Sequence, residues 1–452
     1  MTGSERRVAL SLASIYSVRM LGIFMILPVF MMSAEGLEGY SAALAGIAFG
    51  IYGLTQAVFQ IPLGRLSDRV GRKPVIIGAL LVFALGSAVA ALADSVTGVI
   101  IGRALQGAGA VAAAVLALAA DLTREEHRMK VMAFIGVSIG LSFALAMVLG
   151  PLLHGWVGLS GIFWFTMALA LAGIAVVLFW VPTPAASRFH RDAEVEVSVF
   201  GQVLADPQLL RLDAGVLLLH LMLTATFMVV PFLLRDELGL AEARHWQVYL
   251  PVLVLSMAAI VPFIIYGERR RRLKQILVGS ILALLAATLG LQLLGDSLAG
   301  LVAMLWLFFC GFNLLEAGLP SLVAKVAPPA RKGTAMGAFS TSQFLGAFLG
   351  GTLGGWLYGA WGVPGVLWFN AAVAALWLVL ALTMRNPTYL SSYLLNVGEV
   401  DEAGARALAM RLTAVAGVAE AVVIAEDGVA YLKVDAHALD RDALDAFSAT
   451  KP

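Results

Sequence analysis

Twelve apolar runs constrain this chain more than any other feature. They occupy residues 8–32, 41–63, 74–93, 97–120, 131–153 and 161–181, then 209–234, 246–266, 275–294, 298–323, 334–358 and 363–384. Each is about 20 residues long, enough for a helix to cross a hydrocarbon layer of ~30 Å. The chain is 60% hydrophobic and 13% charged, whereas soluble domains are about half apolar and about a quarter charged. A soluble core could not bury so much apolar side chain; a lipid bilayer solvates the outside of such helices. The expected fold is therefore an all-α polytopic membrane protein. Its twelve transmembrane helices form two six-helix halves, 1–181 and 208–384, around a polar connector at 182–207. Arg6 and Arg7 precede the first run in the manner of a leader peptide, but the run is too long for one and no small-residue cleavage site follows. It is read as a retained first span.

Charge placement gives an orientation. Lys and Arg concentrate in alternate loops: Arg65, Arg69, Arg72 and Lys73; Arg124, Arg128 and Lys130; Arg188 and Arg191; Arg269 to Arg272 with Lys274; and Lys325, Arg331 and Lys332. The intervening loops hold few, with Arg235 and Arg244 as exceptions. Such loops face the cytoplasm, so both termini are expected there, as an even number of spans requires. The halves also resemble one another. GRLSDRVGRK at 64–73 has its counterpart in GERRRRLK at 267–274, and RMKVMAF at 128–134 in KGTAMGAF at 332–339. Two parallel six-helix repeats are a transporter plan with a ligand site between them near the midplane.

Beyond residue 384 the composition changes. After a linker at 385–396, residues 397–452 read as a small α+β ferredoxin-like domain. A strand is expected near 393–397, a helix over 401–415, a hairpin of 419–425 and 429–434 turning at Glu426, Asp427 and Gly428, and a second helix from about Leu439. The order β-α-β-β-α lacks the closing fourth strand of that fold. The net charge of +1 gives no argument for a nucleic-acid partner. Cys310, the sole cysteine, excludes an intrachain disulfide and a multi-cysteine metal site; no cofactor and no metal are expected.

The loop GRLSDRVGRKP at 64–74 carries the strongest local signal. Gly64 suits close helix approach and Gly71 a tight turn. Asp68 is an anion suited to the positive N-terminus of a neighbouring helix. Arg72 needs an acceptor at the membrane edge, for which Asp121 at the end of the fourth span is the candidate. In the fourth span, RALQGAGA at 103–110 places Arg103 where charge is expensive, facing a polar cavity or else snorkelling to the surface. In the fifth, Gly140 precedes the pair Gly150 and Pro151, with His154 beyond. The Gly-Pro pair distorts the helix and admits a close neighbour, as Gly346, Gly350 and Gly354 would in the eleventh span.

The first of these motifs resembles the G-x-L-a-D-R-x-G-R-K loop of the major facilitator superfamily, and sits between the same two spans. The second resembles that family's proton-coupling R-x-x-x-G-x-G-A motif. The third resembles the antiporter G-x-x-x-G-P-x-x-G-G motif, with His154 replacing a glycine. With the ferredoxin-like tail, the whole resembles the YajR-type branch of the drug–proton antiporters. The resemblance implies an exporter of small molecules in the bacterial inner membrane, with protons as the coupling ion and no enzymatic activity. It also implies that Gly64, Asp68, Gly71, Arg72 and Asp121 form a conformational latch, with Asp68 against the eleventh span near Gly333.

Charged or titratable groups well inside the spans are Arg19, Arg103, Glu316 and His220, with Asn313 one turn before Glu316. An ionised carboxylate is costly in hydrocarbon, so protonation is its easiest route to neutrality. Histidine titrates near neutral pH. These residues are the expected proton-coupling and cavity set, with Glu316 as carrier. The alternatives are a fixed Glu316–Arg19 ion pair and a structural His220. The expected partners are a small-molecule substrate, protons and the lipid bilayer. Through its tail the chain is open to self-association or ligand sensing. A dedicated metabolite or sugar exporter and a membrane sensor or scaffold are rival functions.

Overall fold

Hydrocarbon offers no partners to backbone polar groups, so a chain of this composition must satisfy them within helices. The computed structural model describes residues 3–183, 195–328, 331–386, 390–398, 400–425, 428–435 and 438–449. Arg188, Arg191, Glu426 and Asp427 of the sequence reading lie outside them. Among the described residues, ten helices are long and apolar enough to cross a membrane. Two of these, Glu125–Phe179 and Lys332–Leu382, are each two spans joined without a loop. The joints are Gly158 at φ +65° and Gly362 at φ +64°, a backbone region that side chains with a Cβ rarely enter. Dividing them there gives the twelve expected spans. The joints lie between spans 5 and 6 and between spans 11 and 12, equivalent places in the two halves.

Span 1 comprises Gly3–Phe24 and, after a break, Phe30–Ala34. Spans 2 and 3 are Ala42–Val70 and Arg72–Ala91. Span 4 is broken into Val96–Ala108 and Ala112–Leu122. Spans 7 to 10 are Pro207–Phe232, Trp246–Arg269, Leu273–Leu294 and Leu298–Val326. Helix starts follow local chemistry. Asp206 accepts from the backbone of Gln208 (2.7 Å) and Leu209 (3.3 Å), with Pro207 opening span 7. Ser95 and Ser297 cap spans 4 and 10, equivalents in the repeat, each accepting from a glycine N–H at 3.2 Å.

Small residues bring the helices together. Gly346, Gly350 and Gly354 of span 11 lie against span 7 at Leu217, Leu221 and Ala225. In the other half Gly150 lies against span 1 at Met25 and Pro28. Gly140 does not share this role: a Cβ there would meet nothing within 4 Å, so it forms no part of the packing face expected of it. The halves meet along spans 2 and 11, where Gly46 and Gly50 face Gly351, Gly355 and Phe348 with no room for side chains.

The tail holds a three-stranded antiparallel sheet of order β1-β3-β2, with β1 Ser391–Asn396, β2 Val418–Ile424 and β3 Val429–Val434. The sheet therefore begins inside the stretch 385–396 read from sequence as linker, because β1 pairs with β3 along its whole length. Helices Glu402–Thr413 and Arg441–Asp445 complete it, around a core of Leu395, Leu412, Leu432, Val434 and Leu444. Among the described residues there is no fourth strand.

The tail docks on the end of span 10. Lys433 on β3 is only 6% exposed and donates to the carbonyls of Lys325 (2.8 Å) and Val326 (3.2 Å), the last residues of that helix. A cation there satisfies orphan carbonyls and opposes the helix dipole. Burial lowers the Lys433 pKa. Asp435 pairs with Arg271, in the loop after span 8, at 2.9 Å. Combining Lys433→Met with Asp435→Asn should release the tail while the spans stay folded. Limited proteolysis should then cut the 385–390 stretch faster, with an unchanged melting transition of the membrane part. Unchanged protection would show that these bonds do not hold the tail.

Candidate functional site

Three side chains from three helices of the second half meet inside the bundle. They are His220 of span 7, Glu316 of span 10 and Gln343 of span 11. His220 Nε2 lies 3.6 Å from Glu316 Oε2. The Gln343 amide nitrogen lies 2.8 Å from His220 Nε2 and 3.3 Å from Glu316 Oε1. His220 Nδ1 lies 3.1 Å from the Val216 carbonyl. A carbonyl only accepts, so Nδ1 carries the hydrogen and Nε2 faces the carboxylate and the amide. The Glu316 side chain remains 40% exposed although it sits in the interior of a 29-residue span. Its carboxylate is thus partly accessible while held against side chains of two neighbouring helices. Phe312 packs against the imidazole with ring centroids 5.9 Å apart.

An aromatic chain runs from this cluster to the first half. Phe312 contacts Phe309, Phe309 contacts Phe143 of span 5 at 6.1 Å, and Phe143 contacts Phe24 of span 1 at 5.1 Å. Flexible apolar surface of this kind adapts to varied ligands.

Arg19 does not pair with Glu316. It is 1% exposed and donates to the Tyr52 hydroxyl at 2.6 Å and to Gln56 Oε1, both on span 2, with its guanidinium 5.6 Å from the Phe83 ring centre. The charge is held by its own half, where span 2 offers two acceptors one turn apart. Arg103 does not snorkel. It is buried, donates to Gln106 (2.8 Å) and the Phe49 carbonyl (3.2 Å), and lies 5.1 Å from the Tyr52 ring centre. Tyr52 therefore stands between two arginines, and its ring meets Phe344 of span 11 across the interface at 6.5 Å. Asn313, expected beside Glu316, instead donates to Ser256 of span 8 at 3.1 Å. Sequence reading missed Tyr52, Gln56 and Gln343, which carry no charge.

At the tail end of the bundle, Arg72 bonds Asp121 at 3.1 Å, Asp68, and the Ser67 hydroxyl at 2.9 Å. The Asp121 side chain is fully buried. Gly71 has φ +103°, and a Cβ on Gly64 would meet Ala113 at 3.1 Å, as a tight turn and a close approach require. Asp68 does not reach span 11; its recorded partner is Arg72 of its own half. The start of span 11 is met instead by the connector, where the Glu196 N–H donates to Thr334 at 2.9 Å. At the opposite end, contacts cross between the halves: an ion pair of Arg235 with Glu35 at 2.9 Å, and His154 Nδ1 at 3.4 Å from the Glu242 carboxylate.

The comparisons with known proteins agree with this architecture. The Major Facilitator Superfamily signature matches residues 12–351 and 313–393. The chain belongs to the major facilitator superfamily. The YajR YAM domain signature matches residues 400–448, so this is a YajR-type member of the superfamily with its soluble tail domain. The inner membrane transport protein YajR of Escherichia coli K12 is 48% identical over 98% of this chain and 97% of its own length. The multidrug resistance protein MdtH of Aeromonas hydrophila is 29% identical over 80% of this chain and 88% of its own. Among solved structures, a bacterial homolog of the human lysosomal transporter Spinster superposes with a TM-score of 0.69 at 14% identity. That match covers 84% of this chain and 96% of the other. This superfamily chain is thus a membrane transporter with a small-molecule substrate.

The Arg72 cluster yields a stability test. Arg72→Ala removes a fully desolvated bond to Asp121 and should cost about 3 kcal/mol. Asp68, one-third exposed in its pair, should cost under about 1 kcal/mol when changed to Asn. Thermal unfolding of the purified variants checks the order. Equal costs would mean that Asp68, and not the Arg72–Asp121 bond, holds the loop.

Proposed function

We propose that the chain is a proton-coupled exporter of small amphipathic molecules, working by alternating access. The observation that carries this reading is the Glu316–His220 contact at 3.6 Å, with the carboxylate partly exposed in the interior of a span. A carboxylate and an imidazole at this distance can share one proton, and neither is tied to a permanent cation. Glu316 is the proton carrier and His220 its partner. The aromatic chain from Phe312 to Phe24 lines the path of an apolar substrate. The relation to a multidrug resistance protein supports export of drug-like molecules.

In this reading both termini and the tail are cytoplasmic, in agreement with the loop charges. The Arg235–Glu35 ion pair and the His154–Glu242 contact at the other end close the outer side, so that Glu316 is reached from the cytoplasm. The Arg72 cluster is then the half of a latch whose contact to span 11, through Asp68, forms when the transporter turns outward. The docking of Lys433 on span 10, the helix of Glu316, favours a regulatory tail. Self-association or ligand sensing by the tail would act through that contact.

Ethidium accumulation in inside-out vesicles under an imposed pH gradient tests the proposal. Glu316→Gln resembles the protonated form and should abolish gradient-driven accumulation while leaving passive ethidium exchange. Full gradient-driven accumulation by Glu316→Gln would place the proton elsewhere.

A further inference from the structure

We infer that Gln343 is a positioning residue that reports the proton occupancy of the His220–Glu316 pair to the interface between the halves. The inference rests on the proton-coupled reading above and adds a component to it.

The argument begins with donors and acceptors. His220 Nδ1–H is committed to the Val216 carbonyl. When the imidazole is neutral, Nε2 is a bare acceptor, and an ionised Glu316 presents only acceptors to it. Two acceptors 3.6 Å apart need a donor between them. Gln343 supplies it: one amide nitrogen, with two hydrogens, lies 2.8 Å from Nε2 and 3.3 Å from Oε1. When a proton enters the pair it lies between Nε2 and the Glu316 carboxylate, and whichever partner holds it the one lone pair of Nε2 is occupied. The amide NH2 at 2.8 Å then loses its acceptor and is repelled. The amide must rotate to present its oxygen to Nε2, or withdraw. Either way it gives up its bond to Glu316. The two orientations of one amide therefore match the two charge states of the pair.

The position of Gln343 makes this consequential. Its neighbour Phe344 packs against Tyr52 and Gly53 of span 2, in the seam where the halves approach closest. One turn below Gln343, Phe339 and Ala338 are buried, and Thr341 accepts from Gln60 of span 2 at 2.6 Å. A rotation at 343 therefore acts on the segment of span 11 that is bonded across the interface. Other ionisable groups are Arg211 and Asp213 on span 7, Cys310 and Lys325 on span 10, and Lys332 and Tyr358 on the span 11–12 helix; the helices packed against these add Tyr52, Arg65, Asp68 and Arg69 on span 2, Tyr249, Tyr266, Glu268 and Arg269 on span 8, and Lys274 on span 9. None of these bonds His220 or Gln343 among the described residues, so Glu316 is the ionisable group in direct contact with the imidazole.

The test uses the full chain in phosphatidylethanolamine–phosphatidylglycerol vesicles, without substrate. Spin labels on the tail-end loops of the two halves report the ratio of open to closed forms. The pH is moved between about 5.5 and about 8.5, across the range where imidazole titrates. The wild-type ratio should change by about tenfold or more, and Glu316→Gln should remove the change. Gln343→Met, of similar length but without a donor, should reduce the change below about twofold. Gln343→Leu, a second variant without a donor, should also reduce it. In both, nuclear magnetic resonance of labelled histidine should still show the His220–Glu316 pair taking up its proton. A full pH response in Gln343→Met or Gln343→Leu, with the Glu316→Gln response absent, overturns the role of Gln343 alone. A wild-type ratio that ignores pH, or a response that survives in Glu316→Gln, overturns the proton-coupled reading beneath it.

Discussion

A bilayer supplies neither hydrogen-bond partners nor counter-ions, and the placement of every polar group in the spans follows from that. Arg19 and Arg103 are surrounded by Tyr52, Gln56, Gln106 and a backbone carbonyl. Neutral acceptors and ring faces disperse each charge within one half. In the second half two titratable groups, Glu316 and His220, instead touch each other, with the Gln343 amide in contact with both. The two halves share a backbone plan, down to matching glycine joints and serine caps, yet differ in this chemistry.

The same solvent argument made most of the fold legible. Twelve spans, two halves and a separate tail follow from apolar run length and from the loops between them. The joints at Gly158 and Gly362 fell between spans already separated in sequence, although helix runs nearly unbroken through both. At the start of the tail a strand was legible near 393–397 but not its first residues, because the extent of β1 is set by its pairing with β3, from Ser391 opposite Val434 to Asn396 opposite Val429.

The site was legible only in part, for a physical reason. Charge inside an apolar run is conspicuous, so Arg19, Arg103, His220 and Glu316 stood out. Their partners did not. Tyr52 and Gln56 lie on another helix from Arg19, and Gln343 is a neutral amide in a span rich in small polar residues. Which helix faces touch is a tertiary fact. Asn313 shows the opposite error: one turn from Glu316, it points to Ser256 of span 8. Gly140 shares a motif with Gly150, but only Gly150 has a helix against it. Asp68 was assigned a partner in the other half, and in this conformation it stays with Arg72.

The central claim is that Glu316 gains and loses a proton within the membrane. Infrared difference spectroscopy on the full chain in vesicles, acidified from about pH 9 to about pH 5, reads this directly through the C=O stretch of a protonated carboxyl group. The account predicts a band that disappears in Glu316→Gln, persists in Asp213→Asn, and shifts in His220→Gln, where the imidazole partner is lost. A carboxyl band left unchanged by Glu316→Gln would contradict it.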